Sequence, residues 1–198
     1  TIIAGPIVGA VTDHSAKILF ITDSFCSGKF HFYINDQYDR EYESIYFTTG
    51  ENNITIINLD KLESQKSYNY SVLIEDKSIN LGSFKTFPKP NTLSNFTFTF
   101  GSCTENFKND SVFIAMQNVH PDFFVHLGDW TYPDHEEYPE IPTHNSHRFF
   151  VADPKEIEES FIIRYNLPNL KKLLQTTPID YVFDDDDFQK VFRKCMEV

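Results

Sequence analysis

Three short apolar runs in the second half of the chain each lead into a side chain that can bind a metal ion. The first is Phe98-Thr99-Phe100-Gly101-Ser102-Cys103. The second is Phe123 to Leu127, followed by Gly128-Asp129 and, three residues on, Tyr132. The third is Ile179 to Phe183, followed by Asp184-Asp185-Asp186-Asp187. Strands joined by helical crossovers form a parallel sheet, whose carboxyl-end edge is where ligands bind. Cys103, Asp129, Tyr132 and one or two of the four aspartates are therefore expected to converge. Thiolate, carboxylate and phenolate are anionic donors that repel one another. Two carboxylates about 5 Å apart cost roughly 3 kcal/mol at an effective dielectric of about 20. A multivalent cation turns that cost into attraction. Singly, each residue has a plainer role: Cys103 as a small hydrophobe, Gly128-Asp129 as a strand-to-loop turn, the aspartates as a solvated run, Tyr132 as a loop aromatic. The case rests on three strand ends agreeing. His126, inside the second run, is assigned to the sheet interior.

The elements that must carry these residues can be read from periodicity. Asn95 to Phe100, Phe123 to Leu127 and Ile179 to Phe183 read as strands. Asp110 or Ser111 can cap a helix to about Asn118 with Val112, Phe113 and Met116 on one face. Pro154 at a first helical position opens a helix to about Tyr165, and Asn166 to Gln175 gives another. Between them lies an irregular insert, Tyr132 to Val151, rich in Pro, His and Glu.

The first 87 residues read differently. About seven short runs rich in Ile, Phe, Tyr, Val and Thr are separated by turn-forming stretches such as Asn35-Asp36, the pattern of an all-β immunoglobulin or fibronectin III-like sandwich. Leu62 to Val72, with Tyr68 and Tyr70 in alternation, has the look of a tyrosine corner; plain alternation within a strand is the other reading. Pro88-Lys89-Pro90-Asn91 is a stiff, polar break. The expected organisation is multi-domain: a sandwich over residues 1–87, a linker over 88–94 and an α/β section over 95–198.

Composition narrows the function classes. With 20 Phe and 10 Tyr in 198 residues there is ample apolar surface for a core. The formal net charge of -12 argues against nucleic-acid binding through a basic patch, and an anionic substrate would need a bound cation to draw it in. No apolar run approaches a membrane span. Cys26, Cys103 and Cys195 are too far apart and too few for a disulfide framework or a zinc finger. Sequons at Asn53, Asn69, Asn95 and Asn109 lean towards a secreted protein or one in the lumen of a membrane system. No signal peptide is visible, but the chain begins at Thr1 and a leader could have been removed.

The motifs F-x-F-G-S-C, H-P-D-x-x-x-H-L-G-D-x-x-Y, and R-Y ahead of P-x-x-x-x-x-D-D-x-D resemble those of the PhoD-like (alkaline phosphatase D-like) metallophosphoesterases. Ala4 to Gly9 and the sandwich after it are similar to that family's N-terminal domain. The resemblance covers nearly the whole chain. It implies the sandwich followed by a partial α/β metallophosphoesterase domain, a truncated αββα sandwich whose later strands lie outside this sequence. It implies hydrolysis of phosphomonoesters and phosphodiesters at an iron ion bridged to calcium. Cys103 and Tyr132 then match iron ligands, Asp129 the bridging carboxylate and Asp185 a further ligand, with Asp184 and Arg164 behind them. Two departures point to a weak or inactive enzyme. Asp186 stands where the family motif has a catalytic His, and no histidine follows His147. The alternative is a catalytically inactive relative acting as a secreted binding module. A calcium-binding adhesion sandwich is a third reading, but it leaves Cys103 unexplained.

Overall fold

The computed structural model describes residues 1–34, 43–75, 77–104, 110–131, 154–184 and 187. Seven strands occupy the first part: β1 (Ile2–Gly9), β2 (Ala16–Thr22), β3 (Ser27–Ile34), β4 (Glu43–Thr48), β5 (Ile54–Leu59), β6 (Ser67–Ile74) and β7 (Lys77–Lys85). Their β-branched and aromatic residues suit a pleated, half-buried surface. Ala16, Ile18, Phe20 and Thr22 of β2 point inward in alternation, as do Phe30, Phe32 and Ile34 of β3 and Tyr68, Tyr70 and Val72 of β6. The rings interlock: Phe30 stacks on Tyr70 with centroids 5.6 Å apart, and Phe20 meets Phe47 edge-on at 5.3 Å. The Tyr68 hydroxyl accepts the Glu63 backbone N–H at 2.7 Å, so Tyr68 makes the tyrosine corner that its spacing suggested.

The remainder alternates strand and helix: β8 (Phe98–Gly101), α1 (Ser111–Asn118), β9 (Phe123–His126), α2 (Pro154–Tyr165), α3 (Pro168–Thr176) and β10 (Ile179–Tyr181). β8, β9 and β10 pair in parallel, with Phe100 opposite Val125 and Asp180 opposite Val125 on its other side. The expected break at 88–94 falls in the coil between β7 and β8.

One sheet nevertheless crosses from the first part to the second. β1 pairs with β10 in parallel at Gly9 and Ile179, giving a six-stranded sheet in the order β5-β2-β1-β10-β9-β8. The other sheet runs β4-β3-β6-β7. Helix α3 fastens the two parts together. Leu170, Leu173 and Leu174 lie on one helical face and are buried with Phe113, Phe124 and Trp130, against Ile7 of β1 and Ile179 of β10. Each such leucine contributes about 1.5–3 kcal/mol through burial. At its carboxyl end, the Tyr70 hydroxyl donates to the Gln175 carbonyl at 2.8 Å. Gly82 allows this approach, because a Cβ there would overlap that same carbonyl oxygen.

Helix α1 departs from the sequence expectation in two ways. Val112 is exposed, and only Phe113 is fully buried. The Asp110 side chain does not cap its own helix. It accepts the backbone N–H and the side-chain amide of Asn169, both at 2.8 Å. Asn169 lies in the first turn of α3, where backbone N–H groups have no helical partner, so the carboxylate satisfies the neighbouring helix instead. On the other face of the sheet Phe98 and Phe100 of the outermost strand are exposed, with Phe98 stacked on Phe123 at 5.3 Å. No helix among the described residues is long and apolar enough to cross a membrane.

Candidate metal centre

The parallel pairing places the ends of β8, β9 and β10 on one edge. The chain leaving β8 is bonded to the chain leaving β9: Leu127 N–H donates to Gly101 O at 2.8 Å, Cys103 N–H to Gly128 O at 3.1 Å and Thr104 N–H to Asp129 O at 3.0 Å. The result brings Cys103 Sγ to 3.6 Å from Asp129 Oδ2. Both residues adopt left-handed backbone, φ 58° at Cys103 and 56° at Asp129, flanking Gly128 at 97°. Such conformations cost about 1 kcal/mol or more for a residue with a Cβ, and they cluster at functional sites.

The third strand end folds over the second. Val182 N–H donates to His126 O at 2.9 Å, and the turn that follows brings Asp184 against Gly128, where any Cβ would overlap the Asp184 side chain. Asp187 returns towards the β9 loop. Its Oδ2 accepts Asp129 N–H at 2.9 Å and Asp184 N–H at 3.0 Å, and its Oδ1 accepts Trp130 N–H at 2.9 Å. In the sequence Asp187 is one of four adjacent aspartates of which one or two are expected to converge as metal ligands; here its carboxylate is bonded to backbone N–H groups instead.

Beneath the edge lies a buried polar layer. His126, Thr131 and Arg164 are each at most 2% exposed, and His126 packs edge-on against Trp130 with centroids 4.1 Å apart. His126 Nε2 bonds with the Thr104 hydroxyl at 2.9 Å. Burial first, and the Arg164 guanidinium second, push the His126 pKa down to about 4, against the opposing pull of Asp187. Burial likewise pushes the Tyr181 phenol up, with the Asp187 charge adding to it. Because His126 takes up a proton near pH 6.5 when unfolded but only near 4 when folded, protons favour the unfolded state between those values. Stability is therefore expected to fall as pH drops from about 6.5 to about 4, by at most about 3.5 kcal/mol at roughly 1.4 kcal/mol per pH unit. Thermal unfolding of the wild type and His126→Gln across that range checks this. A slope that the variant leaves unchanged would assign it to other groups.

Of the site residues expected from sequence, Cys103 and Asp129 are brought together, and Asp184 lies beside them, exposed, on Gly128. Arg164 lies at the end of α2, buried, close enough to His126 to shift it. Tyr132, Asp185 and Asp186 lie outside the described residues, as do Asn109 and the insert at 132–151. Asn95 is exposed in coil, whereas Asn53 and Asn69 are half-buried. Among the described residues no three His, Cys, Asp or Glu side chains gather closely enough to hold a metal ion. The Cys103 thiol donates to the Asp129 carboxylate at 3.6 Å, and a thiolate beside a carboxylate is a donor pair that iron would accept.

Residues 1–92 match a family model described as "Domain of unknown function (DUF7800)". No curated protein matches the chain. Among solved structures, the chain is similar to one titled "Structure of PhoD", with a TM-score of 0.76 at 18% identity over 93% of this chain and 39% of that one. The chain thus spans 39% of the PhoD chain's length, and the likeness is one of fold. It is also similar to a human fibronectin type III domain derived from KIAA0970, with a TM-score of 0.36 at 15% identity, over 48% of this chain and 78% of that domain. A further similar structure is the sensor domain of the anti-sigma factor RsgI4 in Pseudobacteroides cellulosolvens. Its TM-score is 0.33 at 17% identity, over 43% of this chain and 92% of that one.

Proposed function

We propose that this PhoD-like fold carries part of a metal-dependent phosphoesterase site, acting on phosphomonoesters or phosphodiesters, with iron and calcium as its metals. The observation that carries the reading is Cys103 Sγ at 3.6 Å from Asp129 Oδ2, on the edge where three parallel strands end. Cys103, Asp129, Tyr132 and Asp185 would hold the metals. Thiolate and phenolate are strong anionic donors suited to ferric iron, whereas an aspartate also suits calcium. When bound, the metal pair supplies Lewis-acid attraction for the phosphoryl oxygens. In a chain with a net charge of -12 that attraction is also what would let an anionic ester approach.

Aerobic titration with ferric iron tests the ligand set. Tyrosinate bound to ferric iron absorbs in the visible, so a band is expected on loading the wild type and is expected to vanish in Tyr132→Phe. A fully loaded protein without the band would remove Tyr132 from the set. A second reading, an inactive relative that retains binding alone, is favoured by Asp186: an ionised carboxylate stands where a proton donor or phosphate contact is expected, and it repels the ester.

A further inference from the structure

The Asp187 carboxylate and the chain after β8 grip the same two peptide groups from opposite sides. The peptide joining Gly128 to Asp129 gives its N–H to Asp187 Oδ2 at 2.9 Å, and its carbonyl accepts Cys103 N–H at 3.1 Å. The peptide joining Asp129 to Trp130 gives its N–H to Asp187 Oδ1 at 2.9 Å, and its carbonyl accepts Thr104 N–H at 3.0 Å. Peptide groups bonded at both ends polarise and strengthen one another. Asp187 Oδ2 also accepts Asp184 N–H at 3.0 Å, so one side chain ties the third strand end to the second. From the geometry we infer that Asp187 is a positioning residue: it fixes Asp129 in its left-handed conformation and so holds the Asp129 carboxylate against the Cys103 sulfur.

Three facts support this role over that of a ligand or a solvated charge. Both Asp187 oxygens are already committed to backbone donors of the loop that carries Asp129. The left-handed φ of 56° at Asp129 costs more than an ordinary helical or extended conformation, and Asp187 bonds the N–H groups on both sides of it. Gly128 permits the arrangement, since any side chain there would displace Asp184 and with it the turn leading to Asp187.

The test compares wild type, Asp187→Asn, Asp187→Ala and, as a control for the lost charge, Asp180→Asn on the exposed face of β10. Amide hydrogen exchange at Asp129 and Trp130 reads the grip. It is expected to rise about tenfold or more in Asp187→Ala and less in Asp187→Asn, which keeps one carbonyl acceptor. Cobalt(II) titration, followed by the sulfur-to-cobalt absorption, reads the consequence for the Cys103–Asp129 pair. Loss of an outer partner of a metal ligand commonly weakens binding about tenfold to a hundredfold, and that loss is expected in the Asp187 variants and not in the control. Exchange that stays slow in Asp187→Ala overturns the grip. Exchange that rises while cobalt affinity is unchanged overturns the positioning role. If Asp187→Ala fails to fold, the same readouts on Asp187→Asn decide. The inference about metal rests on the proposed phosphoesterase site; if the wild type takes up no cobalt, that site is what fails. Exchange, together with the labelling rate of Cys103 by a disulfide reagent at one fixed pH, then judges whether Asp187 holds the pair.

Discussion

The purified 198-residue chain is expected to hydrolyse a generic aryl phosphodiester at close to the uncatalysed rate, with or without added iron and calcium. Phosphoryl transfer at a two-metal centre depends on the metals, the nucleophile and the phosphorus being held in line. In the proposed site Cys103, Asp129, Tyr132 and Asp185 would be the donors, a set suited to one ion. A second ion would need further donors, and no histidine follows His147 in this sequence to supply one. If Asp186 takes the place of the motif's histidine, as the resemblance implies, it would put negative charge where the leaving oxygen needs a donor, and losing one positioned donor commonly costs on the order of a hundredfold in rate. Asp186→His is accordingly expected to leave this chain at background, and to raise activity in a longer form that supplies further histidines. Robust metal-dependent turnover by the 198-residue chain, measured as released nitrophenolate, would show that the site is misplaced.

Much of the scaffold was legible because periodicity and punctuation decide it locally. The runs that read as strands from Ala16, Lys29, Ser44, Ile54 and Tyr68 appear as β2 to β6, each beginning within two residues of that position, because alternating β-branched and aromatic residues mark them locally. The helix expected over Asn166 to Gln175 appears as α3, Pro168–Thr176. What was not legible depends on contacts between distant segments. The pairing of β1 with β10 joins residues on either side of the Pro88–Pro90 break, and no local pattern signals a strand that serves two sheet neighbours. Of the two expected caps of α1, Asp110 and Ser111, the Asp110 carboxylate is taken by Asn169, remote in sequence.

The site divides along the same line. Cys103 and Asp129 were legible because each ends a strand, and the strands are parallel. Asp187 was legible only as one of four possible ligands, because its bonds are to three backbone N–H groups, and backbone groups are identical in every sequence. The left-handed conformations at Cys103 and Asp129 were equally hidden. Glycine is the usual occupant of such positions, so a cysteine there carries no sequence signal until the fold is known.

That same cysteine gives the sharpest separation of function from stability. Cys103 is exposed, so truncating it removes little buried surface, and Cys103→Ala is expected to leave the melting temperature nearly unchanged. Cys103→Gly is expected to be neutral or to stabilise by up to about 1.5 kcal/mol. Relief of the left-handed strain contributes about 1–2 kcal/mol, and the greater freedom of glycine in the unfolded chain takes back about 0.4–1 kcal/mol. A small buried hydrophobe would behave in the opposite way, since deleting a packed side chain costs stability and glycine costs most. Both variants are expected to lose about a hundredfold or more in cobalt or ferric affinity, because the thiolate is the softest donor of the proposed set and its loss leaves carboxylate and phenolate oxygens alone. A residue whose removal costs binding but spares or improves the fold is one kept for its chemistry. Calorimetric unfolding and metal titration of the same three proteins decide the matter. Unchanged metal affinity in Cys103→Gly, or a clear loss of stability in Cys103→Ala, would return Cys103 to a structural role.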